Sequence, residues 1–319
     1  MKYFLTLLLS LCPLGAAMAQ SDIYPLRPVR LIVSFSPGGS VDTTGRIMAQ
    51  VLSERLKQPF VVENKPGADG NIAAEFVART APDGYTLLVT SNSLSITPAL
   101  KKLPFDPVAD LRAISIILSI PNLLVAHPSL AANSVRELIA LAKAKPDQLA
   151  FASAGTGTTP FMGMALLMTL SDIRMTHIPY KGTAPAVTAT LGGQTLLMFG
   201  DVNSTLPQVR AGKLKAIAIS STQRSELAPD IPTVSESGIP GFDTSTWVGM
   251  FAPPGVQRAI VDSIHRAIVA SLKMLFVQER VRGMGAQLHG DSPEEFAALV
   301  KADIGRLTKV VKELGVTAD

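Results

Sequence analysis

The residues best placed to do chemistry are Ser34-Phe35-Ser36-Pro37-Gly38-Gly39-Ser40-Val41-Asp42-Thr43-Thr44-Gly45-Arg46. They follow Val29-Arg30-Leu31-Ile32-Val33, an apolar β-branched run that predicts a buried strand, and they precede Ile47 to Leu52, whose apolar spacing predicts a helix. Such a corner leaves the first helical N–H groups without intrahelical partners at the positive end of the helix dipole. Gly38 and Gly39 let a ligand approach the backbone with no side chain in the way. The combination makes a site for an anion. The alternative is an ordinary tight turn with Ser40 or Asp42 as the helix cap.

A second stretch repeats the design. Leu149-Ala150-Phe151-Ala152 predicts a short strand that empties into Ser153-Ala154-Gly155-Thr156-Gly157-Thr158-Thr159-Pro160, followed by a helix rich in Met and Leu. The pair Gly155-x-Gly157 does not complete a dinucleotide fingerprint, because Pro160 holds the third glycine's place and no acidic residue closes a following strand. The chain also has no P-loop Lys-Ser/Thr and no Gly-x-Ser-x-Gly elbow. Further candidates are Ser91 and Asn92 after the strand Tyr85 to Thr90, Tyr180, Lys181 and Gly182 in the loop after His177, and Asp201 after Phe199-Gly200. Tyr180 either lines a ligand's apolar face or packs under its loop, and Lys181 either pairs with an anion or is simply solvated.

The positioning elements alternate in type. Pro59 to Asn64 predicts a strand, Asn71 to Thr80 a helix and Tyr85 to Thr90 another strand, a spacing that implies right-handed βαβ units and a mostly parallel sheet. Ligands of such sheets sit beyond the carboxyl ends of the strands, so the loops at 37–42 and 91–93 can share one edge. Asn122 to Pro128 opens a second series. In it Ser134 and Glu137 form a capping box, His177 leads to a helix ending at Leu191, and Lys213 to Ile219 is a strand. Trp247 to Pro254 predicts a strand leaving that half, Val256 to Phe276 a helix, and Ser292-Pro293-Glu294-Glu295 the start of a helix reaching Leu314. Crossings near Pro121 and Trp247 predict an α/β fold of two lobes with a cleft between them, one lobe from 24–121 and 248–319 and the other from 122–247.

Composition sets the bounds. With 319 residues, 47% hydrophobic and 17% charged, the chain is well cored and of about two domains. Residues 1–19 are a different object: Lys2, an apolar run from Phe4 to Leu11 and the small-x-small site Ala17-Met18-Ala19 predict a cleaved signal peptide and a periplasmic location. Cys12, the single cysteine, lies in that segment, so the mature chain has no disulfide and no cysteine chemistry. A formal charge of +4 with no Lys/Arg block speaks against nucleic acid as a partner. No cofactor or metal is expected. The four histidines show no metal spacing and no nearby nucleophile and acid, which speaks against an enzyme.

From Ser36-Pro37-Gly38-Gly39-Ser40-Val41-Asp42 onward the chain resembles the Bug family, the extracytoplasmic solute receptors of tripartite tricarboxylate transporters. The likeness continues through Ser153 to Thr158, His177-Ile178-Pro179-Tyr180-Lys181-Gly182, Leu206-Pro207 with Ala211-Gly212-Lys213, Pro232-Thr233-Val234 and Trp247 to Pro253. The resemblance implies a type II periplasmic-binding-protein fold whose two lobes close on a small carboxylate, with delivery to a membrane permease. It implies ligand contacts from Phe35, Ser36, Pro37, Gly38, Gly39, Ser40 and Asp42 and from Ser153, Ala154, Gly155, Thr156, Gly157 and Thr158. A monomer is expected. Two positions depart from the family pattern: Phe161 stands where members usually carry histidine, and Gly200 with Asp201 replaces an aspartate directly after the phenylalanine. Two rival readings share the fold. A transcription regulator's sensing domain is opposed by the signal peptide and by the lack of a helix-turn-helix before Pro37. A receptor that reports to a membrane sensor protein stays open as the alternative to uptake.

Overall fold

The structure, a computed structural model, describes residues 24–314. The predicted leader and Cys12 therefore lie outside the described residues. The first half runs β1 (Val29–Val33), α1 (Ser40–Leu56), β2 (Phe60–Asn64), α2 (Asn71–Ala78), β3 (Thr86–Ser91), α3 (Ser93–Leu100) and β4 (Arg112–Ala126). The second half continues with α4 (Val135–Ala144), β5 (Ala150–Ser153), α5 (Thr159–Ser171), β6 (Thr176–Pro179), α6 (Thr183–Leu191), β7 (Leu197–Asp201), α7 (Val202–Arg210) and β8 (Lys215–Ile219). The chain then returns through β9 (Ser245–Ala252), α8 (Arg258–Leu272), α9 (Leu275–Gly283), β10 (Gln287–Leu288) and α10 (Pro293–Leu314).

The strand order is β2-β1-β3-β9-β4-β7-β5-β6, with β8 and β10 also paired to β4. Within each half the pairings β1–β2, β1–β3, β5–β6 and β5–β7 are parallel, as alternating strands and helices predict. The sheet is nevertheless mixed and not mostly parallel, because among the described residues β4 and β9 pair antiparallel with all their neighbours. The reason is connectivity: β4 carries the chain out of the first lobe and β9 carries it back, so the two run side by side in opposite directions. Residues up to Pro121 pair with β9 and β10, whereas those from Asn122 onward pair with β7 and β8. Pro121, which has no N–H to give, sits where the ladder changes partners.

The central strands β3, β7 and β9 are buried on both faces, which is why they read as continuous apolar runs, whereas the edge strands β2 and β6 are partly exposed. In the first lobe α1 and α8 cover one face through Met48, Leu52, Ile264 and Ile268. The other face is covered by α2, α3 and α10, with Ala73, Ala74, Leu94 and Phe296 against Ile32, Leu88 and Phe251. Phe296 stands edge-on to Trp247 at 5.2 Å and tilted against Phe251 at 4.7 Å. A side chain at Gly249 would strike it, since a Cβ there would lie 2.4 Å from Phe296 Cζ. The second lobe is cored by Phe151, Met164, Leu167 and Phe199 on one face and by Val187, Met198, Val202 and Leu206 on the other. The helix α10 is shared, for its Leu307 and Val311 belong to the second lobe's cluster together with Ile96 of α3.

Candidate functional site

The loop between β1 and α1 is shaped by Gly38, whose φ of +93° is left-handed backbone that favours glycine. Gly39 is the helix N-cap with φ −85°, so this second glycine is not required by conformation. Asp42, in the first turn of α1, uses both carboxylate oxygens inside the loop. Oδ2 accepts from the Gly38 N–H and from Arg46 Nε–H, each at 3.0 Å, and Oδ1 accepts from Asn64 Nδ2 at 2.8 Å. Burial alone would raise the Asp42 carboxyl, but the hydrogen bonds from Arg46, Gly38 and Asn64 outweigh it and hold the group below the usual carboxylate range. Neither Ser40 nor Asp42 is the helix cap that the sequence suggested: Gly39 holds that position, and Asp42 bonds back from the first turn to the Gly38 N–H.

The opposite lobe meets this loop directly. Ser36 donates through its N–H (3.3 Å) and its Oγ (2.9 Å) to the Lys181 carbonyl. Asp201, at the end of β7 and only 2% exposed, accepts at Oδ2 from Ser40 Oγ–H (2.7 Å), from the Ser40 N–H (3.3 Å) and from Thr183 Oγ1–H (3.0 Å). Burial pushes the Asp201 carboxyl up, and these hydrogen bonds oppose the shift. Ser40 is the first residue of α1, so the helix start predicted to hold an anion holds a carboxylate of the other lobe. The cleft is closed.

The second loop begins at Ser153, whose Oγ accepts from the Gly155 N–H at 3.0 Å and lies 2.6 Å from His177 Nε2. Helix α5 has Thr158 as N-cap but no side-chain cap, because Thr158 Oγ1 donates to the Gly155 carbonyl at 2.6 Å. Pro160 in the first turn has no N–H, so the donors left without a side-chain cap are those of Thr159 and Phe161. Thr159 Oγ1 donates across the cleft to Asn92 Oδ1 at 2.7 Å, and Asn92 Nδ2 reaches the Ser245 carbonyl at 3.0 Å. Phe161, the first departure from the family pattern, is buried in the lobe core with its ring 4.6 Å from that of His177 and 6.4 Å from that of Phe151. The second departure has a direct effect. A Cβ at Gly200 would lie 2.6 Å from Thr205 Cγ2, so a side chain there requires its neighbours to shift, and the aspartate one residue later lies on the cavity wall.

Between the closed lobes lies a small cavity of about 20 Å³. Of the residues expected from sequence, Phe35, Gly39, Ser40, Ser91, Ala154, Thr158 and Asp201 line it. Phe35 and Ala154 also border an outer depression, where they are joined by Gly155, Tyr180 and Lys181. Ser36, Pro37, Gly38, Asp42, Asn92, Ser153, Thr156, Gly157 and Gly182 lie on neither wall; they shape or join the loops around the cavity. Sequence reasoning missed Val41, Thr159, Pro160, Thr183 and Thr246. Thr159, Pro160 and Thr183 sit at helix starts directly after the singled-out loops and could have been added on that ground, whereas Thr246 lies on the returning strand and carries no local signal. Among the described residues no group of three or more metal-ligating side chains converges, and no helix is long and apolar enough to cross a membrane.

Two α/β lobes joined by crossing strands and closed over a hydroxyl-lined cavity define a solute receptor of the type II periplasmic-binding-protein fold. The comparisons agree, and they name the family: residues 44–316 match the tripartite tricarboxylate transporter family receptor, and the chain belongs to that family. Protein BugT of Bordetella pertussis is 36% identical over 303 residues, covering 94% of this chain and 93% of its own. The periplasmic binding protein BugD superposes with a TM-score of 0.89 at 35% identity, over 93% of this chain and all of its own. Rhodopseudomonas palustris Rpa4515, solved with adipate, gives 0.89 at 33% identity over 92% of this chain and 99% of its own. MatC of the same organism, solved with malate, gives 0.86 at 33% identity over 90% of this chain and 100% of its own. Membership places the chain among binding receptors and not among enzymes.

Proposed function

We propose that this protein captures a small carboxylate in the periplasm and delivers it to the membrane permease of a tripartite tricarboxylate transporter, working as a monomer after removal of residues 1–19. The lobes that close are 24–121 with 248–319, and 122–247. The observation that carries the reading is the cavity wall, where the small polar residues Ser91, Thr158, Thr159 and Thr183 surround the start of α5, a helix end with no side-chain cap. A helix start without a cap suits an anion, because the N–H groups of its first turn have no intrahelical acceptor. Relatives solved with adipate and with malate support the same chemical class.

A thermal-shift panel of dicarboxylates, tricarboxylates, acidic amino acids and aromatic acids tests this, on protein stripped by partial unfolding and refolding. A ligand at a hundredfold its Kd adds about 2.7 kcal/mol, which at roughly 2–4 °C per kcal/mol raises Tm by several degrees. A stripped protein that responds to sugars or cationic amines and to no carboxylate refutes the proposal.

A further inference from the structure

Among the described residues, the cavity wall carries a single ionisable side chain, and it is an acid. Asp201 is almost fully buried, and all three donors that reach it go to Oδ2. Among the described residues no donor is placed on Oδ1. Its partner in the β4–β7 register, Asn122, is fully buried as well. Asn122 Nδ2 donates to Thr246 Oγ1 at 3.4 Å, while Asn122 Oδ1 has no hydrogen-bond partner. Where β4 changes lobes, acceptors are thus in surplus and no lysine, arginine or histidine lines the cavity. A buried acceptor without a donor costs free energy, and a buried acid beside a ligand that offers only carboxylates adds repulsion. A ligand donor at Asp201 removes the repulsion, whereas Asn122 does not line the cavity and is not reached.

We infer that Asp201 is a specificity-determining residue, selecting carboxylates that also bear a hydroxyl or protonated amine, which Asp201 Oδ1 receives while the α5 start takes the carboxylate. The inference rests on the carboxylate reading above and narrows it. Gly200 does not line the cavity and is crowded by Thr205 and Met198, so on this strand it is position 201 that places an acid on the wall.

Isothermal titration of the stripped full chain with matched acids tests it: succinate against malate and aspartate, with the corresponding five- and six-carbon series. In the series that binds, the hydroxy or amino acid is expected to bind at least about tenfold tighter than the unsubstituted acid, the scale of one hydrogen bond to a charged group. In Asp201→Asn the three donors hold the amide oxygen and turn the NH2 group to the cavity, so the preference falls below about twofold or reverses. The wild-type ranking stands without the variant, and circular dichroism verifies that the variant is folded. Unsubstituted acids binding within twofold of their substituted partners in wild type overturn this inference and leave the carboxylate reading intact. A preference that persists unchanged in folded Asp201→Asn does the same. Binding by no member of any series overturns both.

Discussion

Closure across the glycine loop of the second lobe can be tested with one methyl group. A Cβ at Gly157 would lie 2.3 Å from Thr97 Oγ1 and 3.1 Å from Asp69 Cβ, both on the opposite lobe. Ordinary contact begins near 3.4 Å, so Gly157→Ala demands about an ångström of extra separation. Thr97 cannot turn aside freely, because its Oγ1 donates to the Ser93 carbonyl at 2.9 Å and accepts from Asn71 Nδ2 at 3.1 Å. Gly157 has no left-handed φ and does not line the cavity, so alanine strains neither its own loop nor the ligand. The cost of overpacking, about 1–3 kcal/mol, therefore falls on the closed state and lowers affinity by roughly 5- to 150-fold. Titration calorimetry with a ligand from the panel reads the loss. Thr97→Ala in the Gly157→Ala background removes the obstructing atom and restores affinity to within about threefold of Thr97→Ala alone, as a double-mutant cycle of contacting residues requires. If Gly157→Ala binds within twofold of wild type, the two lobes do not meet here in the bound state and the reasoning fails.

Three further outcomes are expected. Intact-mass measurement of the periplasmic fraction gives a chain beginning at Gln20, and a chain retaining Met1 contradicts the leader assignment. Asp42→Ala removes the hydrogen bonds that the carboxylate accepts from Gly38, Arg46 and Asn64 and costs about 1.5–3 kcal/mol at pH 7. Because the folded Asp42 carboxyl titrates below its ordinary value of 3.8, its contribution is complete above that pH and fades as pH falls through the lower folded value. Urea midpoints of wild type and mutant therefore converge below pH 3.8, and a difference constant with pH counts against the assignment. Phe296→Ala empties the space between Trp247, Phe251 and Gly249, lowers stability by about 3–5 kcal/mol and shifts Trp247 emission to the red; an unmoved spectrum is the contrary result.

What the sequence disclosed and what it hid divide along the range of the interactions. The helix starts at Ser134 and Ser292 were legible because their caps are local: Ser134 Oγ accepts from the Glu137 N–H, and Ser292 and Glu295 exchange hydrogen bonds. Helix α3 was not legible, since Ser93-Leu94-Ser95-Ile96-Thr97-Pro98 has polar residues and a proline where a helix period would be sought, and packing against α10 sustains it. The first part of β4 went unread, and so did the direction of β4 and β9, because no property of a strand's own residues states which neighbours it will run against. An anion site at a helix start is a claim about spare donors, and a donor is spare only when the whole fold leaves it so. In the first lobe the loop pattern was right, yet the N–H groups of Ser36, Gly38 and Ser40 are already engaged by Lys181, Asp42 and Asp201, two of these partners more than a hundred residues away in sequence. In the second lobe the pattern has the same form, but Thr158 turns its hydroxyl back onto Gly155 and leaves the start of α5 uncapped against the cavity. The two glycine loops look alike in sequence and differ in the fold: the first is bonded to Asp201 of the other lobe, and the second opens an uncapped helix start onto the cavity, where the proposed carboxylate would sit.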